Sequence, residues 1–353
     1  MCIALVSTAH PQYPLILVDN RDEYLDRPTA PAEFWPSPNT HVLGGRDLLK
    51  PEQGTWLGVT RQGRIAVLTN FREESQDEKV APRSRGAMVN AWLKQPPDSN
   101  QTAEGFVESL FHEQNGGMKG VGGFSLVCGQ LAKAKNQDNG EDGGTMAPLA
   151  VVSNRTPGAA AAKWIAASQG ETHGLSNSAY DAPWPKVKAA EKLLEEAIAT
   201  SASSAEDKDG LIQRLFTMLS TDTLPKRKEG EQYQTYLRQL RYSIFIPPIM
   251  AQPEDAKPAS VMKAATPKEH KLEVVPTLDH EANPTTGSTS ERVPPSSKPK
   301  PVYGTQKQTV VLLDRDGKVT FVERTLFDQT AEPISIGNGD KMFEFSVENW
   351  SDG

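Results

Sequence analysis

Short apolar runs punctuated by polar turns dominate the first half of the chain. Residues 2–7 form one such run, His10-Pro11-Gln12-Tyr13-Pro14 reads as a turn, and residues 15–18 form a second run. The pair predicts a hairpin whose far strand ends at Asp19-Asn20-Arg21-Asp22. Residues 56–60 and 65–69 flank Arg61-Gln62-Gly63-Arg64 and predict a second hairpin, with Gly63 supplying a positive φ. The run Ile65-Ala66-Val67-Leu68 has no alternation, as befits a strand covered on both faces. Residues 123–128 and 149–152 add two more candidate strands.

Helical spacing takes over between and after these runs. Residues 85–94 and 103–112 carry apolar side chains three and four apart, for example Phe106 with Leu110. Residues 184–199 give the clearest pattern, with Val187, Ala190, Leu194 and Ile198 on one stripe and Pro185 in the first turn. Residues 211–219 repeat it. A last hairpin is predicted from residues 309–313 and 319–323 around Asp314-Arg315-Asp316-Gly317. Many strands, two groups of helices and no regular βαβ alternation predict an α+β layered domain.

Composition changes this picture in two places. Only 37% of the 353 residues are hydrophobic and 24% are charged, more polar than a compact fold of this length requires. The excess sits in residues 132–147, read as a polar loop insertion, and in residues 251–301, with nine prolines and no aromatic residue. The second tract buries too little apolar surface to offset its ordering entropy, roughly 1–2 kcal/mol per residue for the backbone, and is expected to be a disordered insert. That leaves residues 1–250 and 302–353 as one domain. The formal net charge of -7 disfavours a nucleic-acid partner, which requires a basic stripe. No window approaches the ~18 consecutive apolar residues of a membrane span. The apolar run at Ile3 is too short, and lacks the basic flank, for a secretory signal. With Cys2 and Cys128 the only cysteines, a reducing, cytoplasmic setting is expected.

The candidate chemistry begins at Cys2. Initiator-methionine removal would leave one residue bearing both a thiol and a free α-amine, with ordinary pKa values of about 8.5 and 8. Nucleophile and base are then joined, as in catalytic N-terminal threonines; the alternative is a small residue tolerated by initiator processing. The predicted hairpin brings Asn20-Arg21-Asp22-Glu23 back beside Cys2, where an arginine favours the thiolate and an aspartate orients the ammonium. A solvated polar turn is the other use of such a tetrapeptide. The six histidines show no paired spacing, so no metal site is expected. Gly44-Gly45, placed in a loop before Arg46-Asp47, reads as a plain turn, with close approach of the backbone to a ligand the alternative, and Cys128 reads as inert core.

Taken in order, Cys2, Asn20-Arg21-Asp22-Glu23, Gly44-Gly45-Arg46-Asp47, Gly54-Thr55-Trp56-Leu57-Gly58, Thr69-Asn70-Phe71-Arg72, Ser84-Arg85-Gly86, Gly174-Leu175-Ser176-Asn177 with Trp184-Pro185-Lys186-Val187, and Tyr303-Gly304-Thr305 resemble the NRDE family, also called the transport and Golgi organization protein 2 family. The resemblance implies a four-layer αββα sandwich of the N-terminal-nucleophile hydrolase type, with mostly antiparallel sheets. It also implies a site made of Cys2, Arg21, Asp22, Asn70 and Asn177, the two asparagines donating to an oxyanion, as in choloylglycine hydrolases and penicillin acylases. The reaction expected is hydrolysis of a non-peptide amide or a thioester, with no cofactor. The alternative implied is a carrier of haem or of an acyl-CoA or lipid, linked to Golgi organization and secretion and associated with Golgi or mitochondria. Either way the partner is a small acyl or haem-like molecule. One departure stands out: relatives commonly carry arginine after Tyr-Gly-Thr, where this chain has Gln306-Lys307-Gln308. If that arginine binds a ligand anion, Lys307 replaces its fork poorly.

Overall fold

The computed structural model of the chain describes residues 2–71, 82–112, 117–135, 142–250, 302–348 and 350. These form two seven-stranded sheets and a two-stranded ladder. In the first sheet, β12 (Thr172–Leu175), β1 (Ile3–Ser7), β2 (Leu15–Tyr24), β14 (Val302–Leu313), β15 (Lys318–Thr325) and β16 (Asp340–Ser346) follow one another, and β13 (Ile249–Met250) pairs with β14. The second sheet runs β11 (Lys163–Ile165), β10 (Leu149–Ser153), β7 (Phe124–Gln130), β6 (Arg64–Asn70), β5 (Leu57–Thr60), β4 (Val42–Asp47) and β3 (Thr29–Phe34). Every pairing between these strands is antiparallel.

Alternation along the strands divides the apolar side chains into layers. Ala4, Val6, Leu15 and Leu17 of the first sheet meet Leu57, Val59, Ile65 and Val67 of the second in one core. On the opposite face, Ile3, Leu5, Ile16 and Val18 pack under α3 (Pro185–Ser204) and α4 (Lys208–Leu219) through Val187, Leu194, Leu215 and Phe216. The outer face of the second sheet, with Ala66, Leu68 and Leu126, is covered by α1 (Gly86–Leu93) and α2 (Ala103–Phe111). A short α5 (Tyr233–Tyr236) joins a satellite cluster with Ile246 and Ile249. Each fully buried aliphatic chain in these layers contributes about 1.5–3 kcal/mol. The result is the αββα sandwich expected from the sequence.

The local signals explain most elements. Pro185 sits in the first turn of α3, and the stripe from Val187 to Ile198 is buried. Gly63 adopts φ 87° in the β5–β6 turn, and β6 is buried on both faces apart from its last residue. Asp207 caps α4 by accepting from the Gly210 N–H at 2.8 Å.

Three expectations are corrected. Asp19-Asn20-Arg21-Asp22 does not end a strand or form a solvated turn, because β2 continues through them to Tyr24 and buries all four. Gly44 and Gly45 lie in β4 rather than a turn. A Cβ on Gly45 would stand 2.5 Å from Trp56 Cη2 and 3.0 Å from Glu323 Oε2, so close packing explains this glycine. The tract 132–147 is more than a polar loop: β8 (Lys133–Lys135) and β9 (Asp142–Met146) pair across it. The expected insert at 251–301 lies outside the described residues. Beyond it, β14 pairs with β2 from Tyr303↔Tyr24 to Leu313↔Leu15.

Candidate active site

The register of β1 places Cys2. Ile3 pairs with Asn20 and Ala4 with Asp19, so Cys2 falls opposite Arg21. Ala4 and Val6 point between the sheets, as do Leu15 and Leu17. By the two-residue period, Cys2, Asp19 and Arg21 therefore share that inner face, while Asn20 and Asp22 turn toward the helices. Cross-strand neighbours on one face have Cβ atoms roughly 4.5–5.5 Å apart. Cys2 and Arg21 stand in that relation.

Arg21 is held on three sides. Its guanidinium lies 4.5 Å from the Trp56 ring centroid and 3.7 Å from Asp47. It also donates to the Gln306 side-chain oxygen. The β14 bulge between Thr305 and Lys307 supplies that glutamine, since an extra residue re-aims a side chain. Gln306 in turn donates to the Leu25 and Arg27 carbonyls at 3.0 and 3.2 Å. Lys307 does not face the cavity: it is buried and bonded to Glu323 at 2.8 Å and Thr325 at 2.9 Å. The residue aimed at the site after Tyr303-Gly304-Thr305 is Gln306, and its partner is Arg21 rather than a ligand.

Asp22 reaches Cys2 through its main chain. The Cys2 thiol donates to the Asp22 carbonyl at 3.8 Å, and Tyr303 donates to the same oxygen at 3.1 Å. The Asp22 carboxylate lies on the helix side, where Thr305 donates to it at 2.7 Å and Lys186 stands 3.8 Å away. Asn20 is structural: its amide donates to the Leu219 and Ile244 carbonyls and so ties β2 to the end of α4.

The other two expected residues flank the cysteine. Ala4 pairs with Leu175, which carries Asn177 to the position across from Cys2 on its free side. Ser176 donates to the Cys2 carbonyl at 2.7 Å and accepts, at its own carbonyl, from Thr69 at 2.7 Å. That bond stitches the edge of the first sheet to β6 and places Asn70, the next residue, in the cavity wall. The cavity measures about 790 Å³, and Cys2, Arg21, Asp22 and Asn70 all line it. Asn177 does not line it; it is buried, with its side-chain oxygen 3.5 Å from the Ser176 hydroxyl.

Burial controls the electrostatics. It pushes the Cys2 thiol up to about 11, against the pull of the positive chain terminus, and the carboxylates of Asp22 and Asp19 push further. Cys128, in the core under α1 and α2, is pushed by burial to about 12. Asp19 is buried beside Ala4 with neither carboxylate oxygen hydrogen-bonded. Burial first, and then Asp22, raise its pKa well above the usual range. A raised folded-state value means that its stability contribution is fully present below pH ~4 and is lost as pH rises toward the folded pKa. Asn, isosteric with the protonated acid, removes that slope. Asp19→Asn is expected to leave stability unchanged at pH ~3.5 and to raise it at pH 8, read by urea unfolding at both pH values; equal shifts at both would contradict this.

Sequence reasoning assigned no role to Asp19, Lys186, Tyr303, Thr305 or Gln306. A lysine in the first turn of a helix, where the dipole opposes it, was the legible signal for one of them. Among the described residues no helix is long and apolar enough to cross a membrane, and no group of three or more His, Cys, Asp and Glu side chains is arranged to hold a metal.

Known proteins resemble the chain over most of its length. The chain is 29% identical to the human Transport and Golgi organization protein 2 homolog, over 96% of this chain and 94% of that one. It is 26% identical to an uncharacterized protein of Saccharomyces cerevisiae, over 98% and 100%. Among solved structures it is similar to a mutant conjugated bile acid hydrolase from Clostridium perfringens, at 9% identity and a TM-score of 0.36, covering 98% of both chains. A likeness that loose adds nothing to the layers described above. The Transport and Golgi organisation 2 family matches residues 1–328, and the chain belongs to that family.

Proposed function

We propose that the protein is a hydrolase of non-peptide amides or thioesters in which Cys2 is the nucleophile. The observation that carries this reading is that Cys2 and Arg21, which the β1–β2 register sets opposite each other, line the same cavity. Burial raises the thiol's pKa and favours its protonated form, so attack requires a base. In this reading removal of Met1 frees the α-amine of Cys2, which takes the thiol proton. The sulfur then attacks the carbonyl carbon, and the oxyanion draws its negative charge toward Asn70. Collapse breaks the C–N or C–S bond, the leaving amine or thiol takes the proton from the α-ammonium, and water hydrolyses the resulting thioester. Arg21, fixed by Trp56, Asp47 and Gln306, supplies positive charge beside the sulfur throughout. Asn177 supports Ser176 and through it the Cys2 main chain.

Turnover of a panel of N-acyl amides and acyl thioesters by purified protein tests the reading. Asn70→Ala is expected to lower kcat by roughly 10²–10³ with KM little changed, the usual cost of one oxyanion donor. An equal loss in KM and none in kcat would assign Asn70 to binding alone.

A second reading is a carrier of haem or of an acyl lipid, with the location expected from the sequence. Its support is the basic lining of the cavity, to which Arg83, Arg85 and Arg155 contribute beside Arg21, because both ligand classes bear anionic groups. Saturable binding of such a ligand, with no turnover of any acyl substrate, would replace the enzyme reading.

A further inference from the structure

Lys186 is placed where a lysine is costly. It stands second in α3, at the end where unpaired N–H groups make the field positive. The first turn of that helix contains no acidic residue, and Trp184 provides no side-chain cap. The side chain is also fully buried, at 0% exposure, which lysines rarely are unless paired. Burial lowers its pKa, and the charges of Asp22, Cys2 and Asp19 oppose that fall.

What offsets the cost is Asp22. Lys186 Nζ lies 3.8 Å from one carboxylate oxygen, and the Thr305 hydroxyl donates to the other at 2.7 Å. The main chain of the same aspartate accepts the Cys2 thiol. A single residue thus joins the helical layer to the sulfur. The groups facing Cys2 are Asp19, Arg21 and Asp22 from β2, Tyr303 from β14, Lys186 from α3 and the chain terminus.

We propose that Lys186 is a positioning residue for Cys2, fixing the Asp22 carboxylate from the helical side and balancing its charge beside the sulfur. The inference rests on the nucleophile reading above and extends it to a residue that touches no substrate. Without the lysine, one positive charge beside the Asp22 carboxylate is lost, and the carboxylate's field opposes thiolate formation more strongly. The layer packed on the outside of the sheet then governs the reactivity of the group that opens on its inside.

The test is the pH dependence of Cys2 alkylation by iodoacetamide on the full chain, read from the mass of the Cys2 peptide, with Cys128 as the buried internal control. No substrate takes part, so the result stands apart from the turnover assay. Lys186→Met is expected to move the alkylation midpoint up by about one pH unit, slowing the reaction about tenfold at pH 8. Lys186→Arg keeps the charge and is expected to stay within about threefold of the unmodified protein. If Lys186→Met does not fold, Asp22→Asn is compared with Asp22→Asn/Lys186→Met, a pair with no buried carboxylate at position 22. Because the carboxylate that the lysine acts through is absent from that background, its loss there is expected to leave the Cys2 profile unchanged. Identical profiles with and without Lys186 when Asp22 is present, or slowing on its loss in the Asp22→Asn background, would overturn the proposal. A shifted profile in a protein that turns over no acyl substrate would leave the lysine's role standing and remove the enzyme reading.

Discussion

Cys2→Ala is expected to lower acyl turnover by roughly 10⁴–10⁶ in kcat while leaving the fold intact, since removing a nucleophile costs about that much in hydrolases that work through a covalent intermediate. The fold should survive because Cys2 precedes β1 and donates only one long contact, to the Asp22 carbonyl at 3.8 Å. Its main chain stays anchored by Ser176, which donates to the Cys2 carbonyl and not to the sulfur. Circular dichroism and urea unfolding should match the unmodified protein within error. A variant that retains more than a tenth of the activity would place the chemistry on another group.

Lys307→Met is expected to destabilise the protein by about 3–5 kcal/mol, the cost of stranding one partner of a buried ion pair. Lys307 and Glu323 are 2% and 1% exposed and lie 2.8 Å apart. The Ala32 N–H also donates to Glu323, at 2.8 Å, which ties β3 of one sheet to β15 of the other. Replacing both charges, as Lys307→Met/Glu323→Gln, keeps an acceptor for Ala32 and leaves no lone charge, so most of the loss should be recovered. Urea midpoints for the two variants decide it. Equal midpoints would mean that the loss does not come from a stranded Glu323 charge.

These two expectations show which parts of the molecule could be read from its residues alone. Periodic elements were legible wherever burial has a simple rhythm: the α3 stripe, the β5–β6 hairpin with its Gly63 turn, and the unbroken run of β6. The far half of β2 was not, because Asp19, Asn20, Arg21 and Asp22 read as polar punctuation until their partners are known. Those partners come from distant segments: Leu219 and Ile244 for Asn20, Gln306 for Arg21, Thr305 and Lys186 for Asp22. Local sequence carries no record of such pairings.

The candidate site divides in the same way. Hairpin geometry was enough to bring Cys2 to Arg21, because both belong to neighbouring strands. It did not show that the Asp22 carboxylate turns to the opposite face, although a period of two separates adjacent residues. Asn70 reaches the cavity through the Thr69–Ser176 bond between sheets, a contact spanning more than a hundred residues of sequence. Lys307 looked like a replacement for a ligand-binding arginine, and the bulge at Gln306 sends it into the core instead. Gly45 looked like a turn because a glycine chosen for close packing leaves the same mark in a sequence as one chosen for its dihedral angles.

The most direct measurement traps the covalent intermediate. Protein mixed with an N-acyl amide or acyl thioester is quenched in acid within a turnover, digested, and each cysteine-bearing peptide weighed. The account predicts one acyl group on the Cys2 peptide, lost on standing at neutral pH, and none on the Cys128 peptide. Steady turnover with the acyl group absent from Cys2, or found on a different residue, would contradict it.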